Sequence, residues 1–451
     1  MRCLGMLDAR GRSLVRAAHV ITLCAATAVV VAAPVRAARA QDADLRPVKR
    51  DSVPTFPNTT AGEFTPGVGF DIIKSQMGSL NISGYGLFRY VNQTPGGQTF
   101  LDHLGRVRDV NPRNDLNWHR TMVWLTGFFY DPRFRYNITL WSLGTTQQTL
   151  LFGNLQYLAA KQFVVGVGIL PNLTARSLQG SWPYWAASDR QMSEEFFRGG
   201  FASGVFATGE VVPRLFYTVS INDNISQLGV IQANDTRDLM YSAGLRWQPT
   251  TGEFGPRNGF GDFEHHLKLA TQFGVSGGIS RESRYAPLDQ PPNATQIKLS
   301  DGLNPFAADA LADGVTVETL RYREAAIDAG AKYRGFSFQG EYYFRTLDNF
   351  IATGPLPIKS IYDHGFMAEA MHMVVPRKLG VYAVSGYIFD QFKRNPWEAG
   401  GGVNFYPSET RSWRLNMHLL HVNRSPLGSL FSYYQAGQTG TIFSLGTDFL
   451  L

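Results

Sequence analysis

A two-residue period runs through most of this chain and is clearest at its carboxyl end. Between Thr441 and Leu451, Ile442, Ser444, Gly446 and Asp448 alternate with Phe443, Leu445, Thr447 and Phe449. Successive side chains of an extended strand point to opposite faces, so the alternation describes a strand with one apolar and one mixed face. A strand of this kind at the end of a chain reads as the closing edge of a transmembrane β-barrel. In lipid, only helices and closed barrels satisfy every backbone polar group.

The amino-terminal residues have a different character. Arg2, Arg10, Arg12 and Arg16 precede an apolar run from Ala17 to Ala33, and Ala38-Arg39-Ala40 supplies a small-x-small pattern before Gln41. Residues 1–40 are expected to be a cleaved secretory signal. Residues 41–78, rich in Pro, Thr and Gly over much of their length, form a periplasmic lead-in, and residues 79–451 the barrel. The whole chain carries 42 basic and 36 acidic residues. Six of the arginines, together with Asp8, lie in the signal, which leaves 36 bases against 35 acids, or +1. The basic balance therefore points to no nucleic-acid partner. Both cysteines, Cys3 and Cys24, also lie in the signal, so no disulfide or thiolate chemistry is expected beyond it.

Beyond residue 40 no stretch approaches the roughly 20 apolar residues of a spanning helix. Alternation instead marks strands. Leu80 to Tyr90 is the first, Trp118 to Tyr130 the second, with both faces apolar, and Phe134, Tyr136, Ile138 and Leu140 line one face of the third. Further strands fall at Thr149–Ala159, Gln162–Leu170, Gly200–Val211, Arg214–Asn222, around Leu239–Trp247 and around Leu267–Val275. Two hairpins turn at Arg334-Gly335 and Pro376-Arg377. Trp397–Phe405, Trp413–Leu419 and the terminal strand bring the total to about sixteen. Tight turns alternate with longer links, Asn92–Leu116, Pro171–Gly199, Asp223–Thr236, Gly278–Gly314 and Asp348–Asp363; one turn, Thr250 to Gly261, is longer than its counterparts. Short turns at one rim, long loops at the other and aromatic residues near strand ends all fit an antiparallel barrel of about 16 strands surrounded by outer-membrane lipids.

Several segments carry a family likeness. Gly69-Phe70 through Ile72-Ile73-Lys74 to Gly84-Tyr85-Gly86, and Asp189-Arg190 followed by Glu194-Glu195-Phe196-Phe197-Arg198, resemble the phosphate-selective porin O and P family. So do Tyr333-Arg334-Gly335-Phe336 through Tyr343, and Gly401-Gly402-Val403-Asn404-Phe405-Tyr406-Pro407. In order and spacing these matches span nearly the whole chain beyond the signal. The resemblance implies a homotrimeric channel whose third long loop folds into the lumen, with passive diffusion of small hydrophilic solutes, anions such as phosphate or polyphosphate among them. Leu451 in place of a terminal aromatic, and the acidic Glu194 and Glu195, depart from the family pattern.

A channel selects by the charges that its wall presents. With apolar faces toward lipid, Arg89, Arg133, Arg135, Arg214, Arg246, Lys268, Lys332, Arg345 and Arg414 are expected to point inward, against Glu324, Asp328, Glu341, Glu398 and Asp448. Guanidinium groups can replace water around an anionic oxygen. The same arginines could instead pair with the inward acids and brace the wall. On the third long loop, Arg176, Asp189, Arg190, Glu194, Glu195 and Arg198 are the constriction candidates. A helix over Asp189–Phe197 would put Arg190 and Arg198 on one face, two turns apart.

Other chemistries find less support. His265 and His266, adjacent in a strand, would point to opposite faces and cannot grip one metal, so no metal or cofactor is expected. Catalysis is not expected either: His418 lies near Asn416, Ser412 and Ser425, yet no serine sits in a Gly-x-Ser-x-Gly turn. A non-selective channel is the alternative within the same class, with a barrel enzyme or adhesin further off.

Overall fold

The computed structural model describes residues 65–144, 148–171, 175, 182–226, 238–255, 259–428 and 432–451. In chain order the strands begin with β1 (Phe70–Lys74), β2 (Gly78–Thr94), β3 (Gln98–Leu101), β4 (Val107–Val110), β5 (Asn114–Phe129) and β6 (Asp131–Leu143). They continue with β7 (Gln148–Ala160), β8 (Phe163–Pro171), β9 (Phe201–Val212), β10 (Leu215–Asp223), β11 (Leu239–Trp247), β12 (Ala270–Ser283) and β13 (Val317–Tyr333). The last are β14 (Phe336–Ala352), β15 (Ser360–Val375), β16 (Leu379–Phe389), β17 (Trp397–Phe405), β18 (Trp413–Asn423) and β19 (Gly440–Leu450). One short helix, α1 (Met192–Phe197), lies between β8 and β9.

Sixteen of these strands, β2 and β5 through β19, form one antiparallel barrel. It closes where β19 meets β2, with Ile442 opposite Gln93 and Asp448 opposite Leu87. Closure leaves no unpaired edge, as a wall facing lipid requires. Outside the sixteen, β1 pairs with the start of β2 and β3 pairs with β4 as a hairpin within a long loop.

Alternation decides which side each residue takes. Along β13, Glu324, Ala326 and Lys332 are buried while Ala325, Ile327 and Tyr333 are exposed; along β14, Gln339, Glu341, Tyr343 and Arg345 are buried and Phe336, Phe338 and Phe344 exposed. The apolar face thus points outward and the polar face inward, the reverse of a water-soluble barrel. Aromatic residues collect at the short-turn rim, where Phe129 stacks on Phe134 and Trp413 on Phe449. The β13–β14 turn consists of Arg334 and Gly335 alone, both at positive φ (48° and 83°), the geometry a two-residue hairpin demands.

One link on the short-turn side is long. Residues 248–269, between β11 and β12, bury Phe254, Phe260 and Phe263. Lys332 donates to the Gly259 carbonyl at 2.5 Å from the wall, and the Gly335 amide donates to Asp262 at 2.7 Å. Phe260 in turn donates its amide to the Tyr184 carbonyl at 2.8 Å, so this link reaches the segment between β8 and β9. At the opposite rim, the 284–316 link packs Leu299, Phe306 and Leu311 against Leu320, Leu347 and Ile361.

A candidate channel-lining site

The segment from Trp182 to Arg198 is held by inward side chains from several parts of the wall. Arg414 donates to the Trp185 carbonyl at 2.6 Å, Asn404 to the Ala186 carbonyl at 2.8 Å, and Arg345 to the Phe196 carbonyl at 3.2 Å. Glu398 accepts the Met192 amide at 2.6 Å, satisfying a free donor at the start of α1. Tyr85, Trp124 and Trp185 pack around Trp182, and Phe197 stacks on Tyr343 at 5.0 Å. These contacts fix a main chain that has little regular structure of its own.

Asp189 is the electrostatic centre of the segment. Its carboxylate lies 3.0 Å from Arg89 and 3.1 Å from Arg120, and all three side chains are almost completely buried. Burial alone would raise the Asp189 pKa, but the Arg120 and Arg89 guanidiniums outweigh it and hold the carboxyl below its ordinary range. Arg89 also reaches the Ser432 carbonyl at 3.3 Å and sits 4.7 Å over the Tyr433 ring. Arg113 donates to the same carbonyl, at 2.5 Å, and pairs with Asp115. The 424–439 link is thereby tied to the 182–198 segment, and the Ser188 and Tyr433 hydroxyls, 2.6 Å apart, add to the tie.

The nine bases expected to line the wall divide into two groups. Arg89, Lys332, Arg345 and Arg414 are inward and buried, Arg345 on Asp363 at 2.7 Å and Arg414 on Asp448. Arg246 also faces inward, 5.0 Å over the Phe216 ring, in a recess of about 160 Å³ shared with Thr208, Thr218 and Glu210. Arg135 is half-buried close to the short-turn rim and donates to the Pro132 carbonyl at 3.3 Å.

The structure places the other three on the rim. A bulge between Phe128 and Phe129 breaks the alternation beside Arg133, which pairs with Asp131 at 2.7 Å and is more than half exposed. Arg214 has φ 73°, belongs to the β9–β10 turn rather than a strand, and donates to the Pro249 and Thr250 carbonyls. Lys268 is exposed in the 248–269 link, ahead of β12.

On the third long loop, α1 covers Met192–Phe197, so Asp189 and Arg190 precede the helix expected from Asp189 onward. Arg190 and Arg198 nevertheless converge, each 3.4 Å from Glu195, and Arg190 also lies 3.7 Å from Glu194 and 4.4 Å over the Trp185 ring. Arg176 lies outside the described residues. Sequence reasoning missed Arg113, Arg120 and Tyr433. Arg120 was hidden because its strand is apolar on both faces and a bulge at Leu87/Phe88 shifts its register. The Tyr433-Tyr434 pair, aromatic within a polar link, was the signal available for the third.

Below this network, His266 joins Asp262 through Nδ1 and Glu253 through Nε2, the latter at 2.9 Å. Burial opposes the charge on His266, but the two carboxylates raise its pKa to about 9. The two histidines thus lie in a link, not in a strand, and His266 acts as an ion-pair partner.

No family model matches the chain, and no curated protein matches it in sequence. Solved structures do match in fold. The trimer form of in-vitro folded OmpT, an outer membrane protein of Vibrio cholerae, has a TM-score of 0.53 at 10% identity, covering 83% of this chain and 100% of that one. Outer-membrane expressed OmpT of Vibrio cholerae gives 0.51 at 12% identity, covering 84% and 100%. An anion-selective porin from Comamonas acidovorans gives 0.49 at 13%, covering 83% and 100%.

Proposed function

We propose that the chain is exported by a cleaved signal at residues 1–40, inserts in a bacterial outer membrane, and forms a channel for passive diffusion of small hydrophilic solutes. The observation that carries this reading is the inverted wall: an apolar outer face with Phe273, Val275, Ile327 and Leu445 exposed, around an inner face bearing Arg89, Glu341, Arg345 and Arg414. The fold shared with an outer membrane protein of Vibrio cholerae supports the location, and the trimer form of that neighbour supports assembly as a homotrimer. In this reading the 182–198 segment is the constriction.

A preference for anions, phosphate or polyphosphate included, is the finer form of the proposal. Three guanidiniums, those of Arg89, Arg113 and Arg120, gather around Asp189 and Asp115 and leave a local excess of positive charge. A second reading, a non-selective channel whose inward charges brace the wall, is favoured by the ion pairs of Arg345 with Asp363 and Arg414 with Asp448. The zero-current potential of the refolded protein in a planar bilayer under a potassium chloride gradient separates them. A potential favouring chloride, with conductance falling as phosphate is added, supports the anion channel. A conducting barrel without ion preference supports the second reading, and the absence of conductance overturns both.

A further inference from the structure

Three arginines point outward, on the wall that should face lipid. Arg281 of β12 stands opposite Arg321 of β13, and Arg323 lies two residues further along the same face. All three have exposed or partly exposed side chains, Arg321 at 39% and Arg323 at 45%. An arginine on the lipid face is costly at the bilayer midplane and close to neutral at the interface, so height matters. Arg323 is ten residues from Tyr333, the outward aromatic at the short-turn rim. At about 3.4 Å per residue and a strand tilt near 40°, that separation corresponds to roughly 26 Å along the membrane normal. An outward apolar band is about 25 Å tall, so the arginines begin where the band ends on the long-loop side.

The cluster has more positive than negative charge. Asp348 of β14 is the carboxylate that it pairs with, 2.7 Å from Arg321 and 2.5 Å from Arg323, while Arg281 donates to the Thr319 hydroxyl at 3.3 Å. Below Arg323 the wall forms a groove of about 720 Å³. Its upper edge is the row Val205, Ile221, Tyr241, Ile279, consecutive partners across four strands, and that row ends on Arg323. Ala243 opposite Gly277 forms the floor.

We propose that this face binds a phosphate-bearing membrane lipid, its phosphate held by Arg281, Arg321 and Arg323 and an acyl chain lying in the groove. Guanidinium forks suit phosphate oxygens, and their placement at the edge of the apolar band is the level of a headgroup. A free ion would gain nothing from the apolar groove, which is continuous with the cluster through Arg323. The inference rests on the barrel being embedded in a membrane, and does not depend on what passes through its lumen.

The test uses the refolded full-length barrel in a neutral detergent, with lipid retention read by native mass spectrometry. Probes are diphosphorylated lipid A, the same lipid stripped of phosphate, and inorganic phosphate as competitor. The expected result is at least tenfold preferential retention of the phosphorylated lipid, unaffected by equimolar inorganic phosphate. Arg281→Gln combined with Arg323→Gln, which keeps the Arg321–Asp348 pair, should abolish the preference while the single-channel conductance stays as in the parent. Ala243→Trp, which fills the groove floor, should lower retention of the phosphorylated lipid. Equal retention of both lipids, displacement by equimolar inorganic phosphate, or undiminished preference in the double variant would overturn the proposal. Lipid retention by a barrel that does not conduct would sink the channel reading alone.

Discussion

Arg190 and Arg198 lie eight residues apart and share one carboxylate: Glu195 is 3.4 Å from a guanidinium nitrogen of each. The helix α1 brings the three together, since Arg198 follows Glu195 by three positions and Arg190 precedes it by five. Glu195→Gln removes the charge both cations face and keeps the shape of the side chain. The expected outcome is faster amide exchange across 189–198, by about tenfold for a loss near 1.4 kcal/mol, with the zero-current potential moving toward chloride. Unchanged exchange and unchanged potential would show that the pairing neither orders the segment nor masks positive charge.

Asp189 is the more consequential acid because its neighbours are buried. Asp189→Ala leaves Arg89 and Arg120 without their shared partner in a site with little water, and is expected to cost about 3–5 kcal/mol in urea unfolding from lipid vesicles. The pH dependence has a definite sign. The folded pKa of Asp189 lies below its ordinary value, so its stabilisation is complete above that value, about 3.9, and is lost as pH falls through the folded one. Acid exchange measurements should therefore find the segment protected at pH 5 and loosened only well below pH 4. Loosening between pH 5 and 7 would exclude this ion triad as the anchor.

The 248–269 link should respond at the other end of the scale. His266 has its pKa raised from 6.5 to about 9, so the stabilisation it gives is complete below about 6.5 and disappears as pH rises through about 9. Asp262 and Glu253 have lowered pKa values and contribute above the ordinary carboxyl range, so the cluster is fully stabilising between roughly pH 4.5 and 6.5 and weakens from there toward pH 9. Exchange protection of this link in the parent should collapse above pH 9, and His266→Ala should remove that step. A link equally protected at pH 7 and 10 would assign the anchoring to Lys332 and the buried phenylalanines instead.

Replacing Arg133 and Arg135 together by Ala should leave ion preference unchanged. Arg133 is on the rim against Asp131, where water screens the exposed pair, and Arg135 lies close to the same rim on the Pro132 carbonyl. A double variant with altered zero-current potential would mean that the rim contributes to the selecting field.

Much of this architecture was written in alternation. The hairpin at Arg334-Gly335 and the inward set Arg89, Lys332, Arg345 and Arg414 follow from a period of two, because one face of each strand must meet hydrocarbon. Arg133 and Arg120 share a cause, a register irregularity that breaks the alternation locally and that no side chain announces, and for Arg120 a strand apolar on both faces adds to it. Arg214 escaped because a left-handed turn and a strand start look alike in sequence. The pairing of Asp189 with two arginines depends on how a loop crosses the wall, and local pattern carries no record of that.

The seam between β19 and β2 also has a kinetic meaning. Gln93 and Ile442 are separated by most of the chain, so closing this seam carries a large entropic cost of loop closure. Until it forms, β2 has an open edge that any passing strand could occupy. Part of that edge is covered early: β1, only a few residues upstream, pairs with Ser79–Ile82, and β19 then occupies the same edge from Tyr85 onward. A local hairpin thus guards the start of the edge while the rest of the chain is still arriving, which limits where mispairing with a second chain can begin.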